Sequence, residues 1–380
     1  MAEKVTIKVA GKIREVERAK WDGLLDGGSP FMKWDWLDVL EQTGCAVEEK
    51  GWVPQHIVIE RDGEIVAACP MYLKLHSMGE FVFDFEWAQY ARMVGVKYYP
   101  KMLVGVPFTP VTGTRFLTAR GARRKELIQL IGEVLKRVAR EHKLSSIHVN
   151  FCLADEVEAL REIGFLPRTG MQFQWENQGY RTFDDYLGAF RSDRRNKIKR
   201  ERRELLHQGI AIQIVEGEEL TPARLRTMFG LYKAHVDRLT YGRQYLTRAF
   251  FEELSRRFAP YLCLIVAERD SRAIAGTLNV QDRDVFYGRY WGAHVDERYL
   301  HFNVCYYSAI EHCIARELRR FEAGAGGSFK QLRGLEPQAT SSMHYVENEP
   351  FRLAVERYLV EEREAMEQRR AALGEKSQLK

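Results

Sequence analysis

A twelve-residue pattern occurs twice in this chain, and the repeat limits the folds that the sequence can adopt. Residues 57–68 align without gaps with residues 265–276, which lie 208 positions later, and six of the twelve positions are identical. The first copy reads as two β-strands joined at Asp62-Gly63, a pair typical of tight hairpin turns. Because the second copy keeps the same apolar phase, the sequence predicts one β-hairpin in each half of the chain.

The elements after the first hairpin have a clear order. A strand at 114–119 precedes a helix at 125–141, which carries apolar residues at three- and four-residue spacing. A strand at 146–151 and a helix at 155–163 come next. This part of the sequence therefore predicts alternating strands and helices, as in an α/β fold.

The second half repeats the order of strand, helix and strand. Residues 285–292 alternate like a strand, residues 303–320 have a helical apolar spacing, and a short strand at Phe321 leads into the glycine-rich residues 324–327. A loop between a strand and a helix N-terminus can hold an anionic cofactor. Two copies of one α/β unit explain both halves.

Length and composition agree with two domains. The chain has 380 residues, of which 45% are hydrophobic and 29% charged, as in ordinary globular proteins. We expect an N-terminal unit at 1–178, a C-terminal unit at 179–350 and a charged helical tail at 351–380. Apolar runs such as 261–267 are far shorter than the ~20 residues of a transmembrane helix. The N-terminus lacks the apolar core of a signal peptide, so we expect a cytoplasmic protein.

The cysteines favour no metal site and no disulfide framework. The chain contains six of them without a CxxC pair, and several lie inside apolar strand or helix patterns. We therefore predict buried, reduced thiols and no metal. The six are Cys45, Cys69, Cys152, Cys263, Cys305 and Cys313.

Longer signatures identify the family that the chain resembles. They are residues 81–88 (FVFDFEWA), 98–101 (YYPK), 107–110 (PFTP) and 288–292 (GRYWG), and Arg333-Gly334. With these signatures the chain resembles the FemAB-like family of predicted N-acyltransferases, described as peptidoglycan biosynthesis or recognition proteins. The order of its elements resembles the GNAT acyltransferase fold, and two such units in tandem resemble the FemABX peptidyltransferases.

This resemblance implies a fold, a reaction and a set of substrates. The expected fold is α/β, with tandem GNAT-like units that each contain a mixed, mostly antiparallel sheet flanked by helices. The expected reaction moves an acyl or aminoacyl group from acyl-CoA or aminoacyl-tRNA to a small-molecule or peptide amine, in relation to the cell wall. Such a reaction needs a proton acceptor, a stabilised oxyanion and a held leaving group.

One segment departs from the resemblance. After residues 321–325 the family pattern continues Gln-Gly-Glu-His-Lys, whereas this chain has Gly-Gly-Ser-Phe-Lys at 326–330. A carboxylate and an imidazole are therefore missing, and if these groups transfer protons in relatives, this protein uses other groups or a different substrate. The alternative interpretation is a non-catalytic recognition module of the same fold that binds a wall precursor or tRNA.

Three residues around this segment are candidates for catalysis. Glu322 ends a strand beside the glycine run and is the first candidate for the base, although a solvated strand-end carboxylate gives the same pattern. His301 is a weaker candidate, because single histidines are often structural. Of Tyr306 and Tyr307, one must face the core and the other the cleft, and Tyr307 is retained as a candidate.

Further residues are candidates for substrate binding. Asp84 and Glu86 lie in an aromatic segment of the first unit, and they fit an amine acceptor as well as a structural pairing with arginine. Lys330 and Arg333 follow the glycine run and fit an anion. The complete set is Asp84, Glu86, Arg289, Lys330, Arg333 and His344.

The mildly basic charge of the chain comes from one segment. Residues 191–203 contain eight basic and two acidic residues, and the segment reads as a helix that extends over 191–208 and closes at Gly209. A solvated helix is one interpretation. However, the net positive charge of the segment repels itself, which favours an anionic partner. The resemblance implies tRNA or a phosphorylated precursor. The candidate anion-binding residues are Arg194, Arg195, Lys197, Lys199 and Arg200.

Overall fold

The chain folds into two compact units, which are described separately. A computed structural model describes residues 5–240, 242–324 and 327–379. The first unit contains the described residues of Met1–Gly170 together with Ala339–Gln368. The second contains those of Met171–Gln338 together with Arg369–Lys380.

The elements are numbered in chain order. The strands are β1 (Val5–Ala10), β2 (Trp52–Pro54), β3 (His56–Arg61), β4 (Glu64–Cys69), β5 (Met71–Lys74), β6 (Lys101–Val104), β7 (Leu117–Thr118), β8 (Ser146–Val149), β9 (Leu166–Glu176), β10 (Ala211–Val215), β11 (Leu262–Arg269), β12 (Arg272–Gln281), β13 (Val285–Ala293), β14 (Arg320–Glu322) and β15 (Glu336–Val346). The helices are α1 (Arg18–Asp22), α2 (Trp34–Gln42), α3 (Phe85–Met93), α4 (Arg124–Glu141), α5 (Ala154–Glu162), α6 (Phe183–Gly188), α7 (Ser192–His207), α8 (Pro222–Arg238), α9 (Arg248–Arg257), α10 (Leu300–Phe302), α11 (Ser308–Ala315) and α12 (Glu349–Gly374).

Both predicted hairpins are confirmed, and they match in detail. Strands β3 and β4 pair antiparallel around Asp62-Gly63, and strands β11 and β12 pair around Asp270-Ser271. All four turn residues have positive φ, as a two-residue hairpin turn that follows the strand twist requires. Each hairpin also has a β-bulge at the aligned position, at Ile59/Glu60 and at Ala267/Glu268. The repeat therefore extends to the register of the strands.

The first unit holds two strand groups over one apolar core. The order β1-β3-β4-β7 forms one sheet, and strands β15, β8, β6, β5 and β2 follow one another in the other. Helix α4 turns one apolar face towards these strands, and Ile131 and Leu135 are fully buried in the core with Ile147 and Met343. Strands β6 and β8 are parallel, while β8 and β15 are antiparallel.

In the second unit the strands follow the order β10-β11-β12-β13-β14-β9. Strands β13 and β14 pair in parallel, whereas β10 with β11, β11 with β12, β12 with β13 and β14 with β9 pair antiparallel. The described core of this unit includes Trp175, Tyr307, Ile310 and Phe321. Helix α8 packs against β13 so closely that a Cβ atom on Gly292 would lie 2.2 Å from the α8 backbone. That position therefore requires glycine.

The parallel pair in the second unit separates soon after it starts. Val285, Phe286 and Tyr287 of β13 pair with Arg320, Phe321 and Glu322 of β14. Strand β14 then ends, whereas β13 continues to Ala293. The strands β13 and β14 therefore separate and leave a gap at the end of β14.

Most predicted helices are confirmed, but the one at 303–320 is displaced. Helices α4, α5 and α7 lie within one residue of their predicted bounds. The helix after β13 already begins at Leu300, passes through a π-helical turn at Asn303–Tyr307 and ends at Ala315. Glu317 has φ 56°, so the chain reverses there before β14. Within the described part of the chain, no helix is long and apolar enough to span a membrane.

Candidate functional site

A pocket of about 400 Å³ in the second unit lies where β13 and β14 separate. Strands β12 and β13, helices α8 and α10, the π-helical turn and the segment after β14 contribute to its wall. The lining residues are His235, Thr277, Asn279, Gly288, Arg289, Tyr290, Trp291, His301, Cys305, Tyr306, Phe321, Ala323, Gly327, Phe329 and Lys330. Three residues predicted from the sequence, His301, Arg289 and Lys330, are thus brought together.

A β-bulge forms one wall of this pocket. Leu278 lies opposite Tyr290, and Asn279 lies opposite Gly288, so Arg289 is the extra residue of β13. A bulge redirects the side chains next to it, and Arg289, Tyr290 and their strand neighbours consequently line the pocket. The alternation of β13 alone did not predict this arrangement.

The imidazoles of the pocket are neutral at pH 7. Burial lowers the pKa of His301 to about 4, and the positive charges of Arg333 and Lys330, and that of His235 when it is protonated, act in the same direction. Burial also lowers the pKa of His235. The ring of His301 lies 5.1 Å from the ring of Trp291 and 6.1 Å from that of Phe329, measured between centroids. With a pKa of about 4 this neutral imidazole is a weak base, so it can accept a proton from an attacking amine only as the nitrogen becomes bonded to a carbonyl carbon.

Lys330 fixes the segment that follows β14. Its Nζ donates hydrogen bonds to the carbonyl oxygens of Ala323, at 2.9 Å, and Gly324, at 2.8 Å. Gly324 has φ 73°, a conformation that favours glycine. Burial lowers the pKa of Lys330 to about 8, so it remains mainly cationic at pH 7. Ala325 and Gly326, the first residue of the sequence departure, lie outside the described residues.

Glu322 lies on the other face of its strand. Its neighbours Phe321 and Ala323 line the pocket, and alternation along β14 turns the Glu322 side chain away from them. The carboxylate is 3% exposed and lies 2.9 Å from Arg320 Nη2. Burial raises the pKa of Glu322 to about 7, and the arginine only partly opposes this. The first candidate base is therefore a buried carboxyl group behind the pocket wall.

Tyr307 and Arg333 belong to a buried network around Glu201. The Tyr307 hydroxyl donates to Glu201, and Arg333 Nη2 donates to the same carboxylate at 3.0 Å. Arg194 approaches it to 3.6 Å and donates to the Leu332 carbonyl. These side chains support the residues next to them, Tyr306 and Lys330, which do line the pocket.

Glu201 was missed in the sequence, although a signal was present. Arg194, Ile198, Glu201 and Leu205 recur every three or four residues, and all four are buried. They form the inner face of α7. The other predicted cations of this helix remain accessible: Lys197, Lys199 and Arg200 are exposed, and Arg195 is half-buried. Lys199 lines a second cavity of the unit, of about 820 Å³.

The remaining predicted residues lie in the first unit. Asp84 is buried and accepts hydrogen bonds from Lys101 and from the Tyr98 hydroxyl. His344 is buried too, and its Nδ1 lies 2.8 Å from Nδ1 of His148. Glu86 is exposed on α3. The pairing of Lys101 with Asp84 was missed in the sequence, because the two residues are 17 positions apart and lie in different sequence patterns.

One group of potential metal ligands lies in the second unit. Ligand atoms of Glu216, Cys263 and His312 are within 4.8 Å of one another. The carboxylate is already paired with Arg316 at 2.6 Å, and Gln281 lies 2.9 Å from the imidazole. We therefore assign no metal to this group. Five of the six cysteines are buried, as predicted, and Cys305 is half-buried.

Solved structures share this fold. The structure of FemX matches with a TM-score of 0.53 at 14% identity and covers 94% of this chain and 100% of its own. The C-terminal domain of a putative lysylphosphatidylglycerol synthetase from Agrobacterium fabrum matches with a TM-score of 0.53 at 11% identity and covers 90% and 95%. A tandem GNAT protein from the clavulanic acid biosynthesis pathway matches with a TM-score of 0.46 at 11% identity and covers 91% and 99%. At such identities the similarity defines the fold alone.

The mixed α/β fold, with mostly antiparallel sheets flanked by helices, is shared with FemX, so the predicted fold class is confirmed. The chain belongs to the FemAB-like family, described as peptidoglycan biosynthesis and recognition, whose model matches residues 12–380. The family resemblance read from the sequence signatures is therefore confirmed as well. Among functionally curated proteins none is significantly similar in sequence. Family and fold together support a cell-wall-related transferase of acyl or aminoacyl groups in general.

Proposed function

We propose that the protein is an N-acyltransferase that transfers an aminoacyl group to an amine in the pocket of the second unit. The observation that carries this proposal is the position of a neutral imidazole, His301, at the opening between β13 and β14. Strand β13 continues past the last pair with β14, so an extended substrate can lie along its edge. Family membership supports the same class of reaction.

In the proposed reaction His301 accepts the proton of the attacking amine. The amine nitrogen forms a bond to the carbonyl carbon of the donor, and the bond from that carbon to the ribose oxygen breaks. The proton passes by way of His301 to the leaving oxygen, which departs as a ribose hydroxyl. Arg289 also lines the pocket and supplies positive charge near the developing oxyanion. Lys330 positions the carbonyl groups of Ala323 and Gly324.

The charge around the pocket favours tRNA over coenzyme A as the carrier of the donor group. In the loop before α10, Asp296 lies close to Arg298 in the sequence and Glu297 is paired with Arg269 at 2.9 Å, so this helix start offers no net positive charge to a pyrophosphate. Helix α7 instead exposes Lys197, Lys199 and Arg200 to solvent. Its buried Glu201 joins the helix to Tyr307 and Arg333, next to the pocket wall. Phosphates of an RNA backbone are the ligands that such a helix attracts.

The transfer step is tested with tRNA charged with a radiolabelled amino acid and a mixture of small primary amines. We expect the wild-type chain to move the label to an amine, and the His301→Gln variant to be slower by about 10²–10⁴-fold. The matched control is His207→Gln, which changes an exposed imidazole of the same unit. A His301→Gln variant that transfers at the wild-type rate would remove His301 from the reaction.

The donor is tested separately by binding at increasing salt. We expect charged tRNA to bind, and the double variant Lys197→Gln/Arg200→Gln to weaken binding and reduce the salt slope by about two charges. The control is Arg272→Gln/Arg283→Gln, which removes two exposed cations elsewhere in the unit. Transfer from acyl-CoA but not from tRNA would assign the other donor. Binding without any transfer would favour the recognition module instead.

A further inference from the structure

The first unit contains a closed cluster of ionisable side chains that the proposed reaction does not use. Lys74, Glu80, Asp84 and Lys101 are each at most 5% exposed. They lie on β5, on β6 and on the loop that runs from β5 to α3. Buried charges of this kind cost desolvation energy and stabilise a fold less than apolar side chains of the same size. Stability alone therefore does not account for these four buried charges.

All three N–H groups of Lys101 donate hydrogen bonds within this cluster. Its Nζ donates to Glu80 Oε2 at 2.8 Å, to Ser77 Oγ at 3.0 Å and to Asp84 Oδ2. Asp84 Oδ2 also accepts from the Tyr98 hydroxyl. Burial alone would lower the pKa of Lys101, but the two carboxylates raise it above its usual value. The lysine thus remains a cation with its three N–H groups satisfied.

Each carboxylate presents a second oxygen that this arrangement leaves over. Among the described residues, Glu80 Oε1 and Asp84 Oδ1 have no hydrogen-bond partner of ordinary geometry, although the Ser77 hydroxyl is close enough to help lower the pKa of Asp84. Lys74 Nζ lies 4.0 Å from Glu80 Oε1. Buried hydrogen-bond acceptors normally have a partner, and the oxygens of an ionised carboxylate can only accept hydrogen bonds. A ligand that satisfies these two oxygens must therefore carry donors.

The chemistry of the leftover atoms selects the ligand. Calcium requires six to eight oxygen ligands and magnesium six, so two carboxylate oxygens are too few for either. A group with several N–H donors and a positive charge matches two carboxylate oxygens much better, because charge-assisted hydrogen bonds are the strong ones. We propose that the first unit binds a primary ammonium group at Glu80 Oε1 and Asp84 Oδ1.

A hydroxyl chain connects the cluster to the surface. Ser77 Oγ, which accepts from Lys101, lies 2.7 Å from the hydroxyl of Tyr99, a residue that is partly exposed. The loop that covers the carboxylates contains two residues with positive φ, Gly79 at 81° and Phe81 at 61°. Phenylalanine in this conformation is strained. This loop is therefore the route by which we expect the ligand to enter.

Charge balance provides a signature of this binding. The cluster is neutral when Lys74 and Lys101 are cations and both carboxylates are ionised, so a further ammonium group would add an uncompensated charge. Burial lowers the pKa of Lys74 to about 7, against the opposing effect of Glu80. Lys74 therefore gives up a proton when the ligand binds, and the affinity increases as the pH rises from 6 to 8. Burial also raises the pKa of Glu80 to about 6, which acts in the same direction.

The test is calorimetry of the full chain with n-butylammonium chloride, in phosphate and in imidazole buffer, since Tris is itself a primary amine. We expect binding with release of a proton, at least tenfold weaker binding of tetramethylammonium, which has no N–H donor, and weaker binding still of 1-butanol. Glu80→Gln should lose at least tenfold in affinity, while the exposed Glu49→Gln should not change it. The test requires no transferase activity, so its outcome is independent of the proposed function.

Several outcomes would overturn the site. Absence of n-butylammonium binding to the folded wild-type chain is one, and equal affinity for tetramethylammonium is another. If Glu80→Gln does not fold, a crystal of the wild-type chain soaked in n-butylammonium decides the question. A nitrogen within hydrogen-bond distance of Glu80 Oε1 supports the proposal, and a bound water alone at that oxygen contradicts it.

Discussion

The two units start from the same hairpin but treat buried charge differently. In the second unit, strands β13 and β14 separate after three residue pairs, and the titratable groups there face a pocket. In the first unit, the loop between β5 and α3 and the start of β6 enclose two lysines and two carboxylates with almost no exposure. The repeat determines the backbone frame of each unit. The loops added to that frame determine whether the charged side chains line an open pocket or are enclosed.

The largest expected effect concerns the closed cluster. Lys101→Met leaves the Glu80 and Asp84 carboxylates buried without their cation, and we expect a loss of about 3–5 kcal/mol in the free energy of unfolding. The control is Lys97→Met, an exposed lysine four positions earlier, for which we expect a change within about 0.5 kcal/mol. Urea denaturation measures both. Equal effects of the two substitutions would show that the cluster is not closed to water.

The second prediction concerns the wall of the open pocket. Gly292→Ala brings a Cβ atom within 2.2 Å of the backbone of α8, so the helix must move away from β13. We expect a loss of about 2–3 kcal/mol in the free energy of unfolding. The control is Gly230→Ala on α8 itself, where a Cβ atom meets nothing within 4 Å and the substitution should be neutral or slightly stabilising. Thermal unfolding of both variants measures the difference.

The comparison of the units also shows what the sequence could predict. The hairpins, α4 and α7 were predicted correctly because their signals are local: a turn pair, a helical apolar spacing and a closing Gly209 with φ 65°. The displaced helix after β13 was not, because its reversal at Glu317 uses a residue that rarely takes positive φ. Local preference was overruled there by the packing of the chain before β14.

The site residues follow the same rule. His301, Arg289 and Lys330 were named from the sequence, and they meet at one pocket because the βαβ order brings strand ends and a helix start together. The partnership of Lys101 with Glu80 joins residues 21 positions apart, and no periodicity connects them. Glu201 was hidden among cations, where a charged residue on a buried helix face resembles a solvated one. Pairings across loops therefore require the structure.

A third prediction uses pH to compare the buried carboxyl group behind the pocket with an exposed one. The pKa of Glu322 is about 7 in the folded chain against 4.5 for an unperturbed glutamate, so the fold favours the protonated form. Its stabilising contribution is complete below pH 4.5 and is lost as the pH rises through 7. Glu322→Gln, which cannot ionise, should therefore gain on the order of 2 kcal/mol over the wild type between pH 5 and pH 8.

This gain is measured by urea denaturation at several pH values. The control is Glu218→Gln, an exposed carboxylate of the same unit, which should show a difference from the wild type that does not vary with pH. A constant difference for Glu322→Gln as well would mean that Glu322 is ionised throughout this range. It would then be a conventional partner of Arg320 rather than a buried acid.

The smallest expected effect tests the repeat itself, through a reciprocal exchange in the two hairpin turns. Gly63 and Ser271 occupy aligned positions with φ of 89° and 58°, and only glycine adopts such angles without strain. A Cβ atom on Gly63 meets nothing within 4 Å, so the backbone conformation alone decides the outcome there. Gly63→Ser should therefore destabilise the first unit by about 0.5–1 kcal/mol, whereas Ser271→Gly should relieve strain in the second by a similar or smaller amount.

Opposite signs for these two substitutions would mean that both turns have the same energetic character, as a duplicated hairpin requires. Each single variant is compared with the wild type by thermal unfolding, and the double variant should return close to the wild-type stability if the two effects add, as independent sites do. A loss of stability in both single variants would indicate that the Ser271 side chain stabilises its own turn. The second hairpin would then have acquired a local interaction of its own, and the two units would differ already at the element that they share.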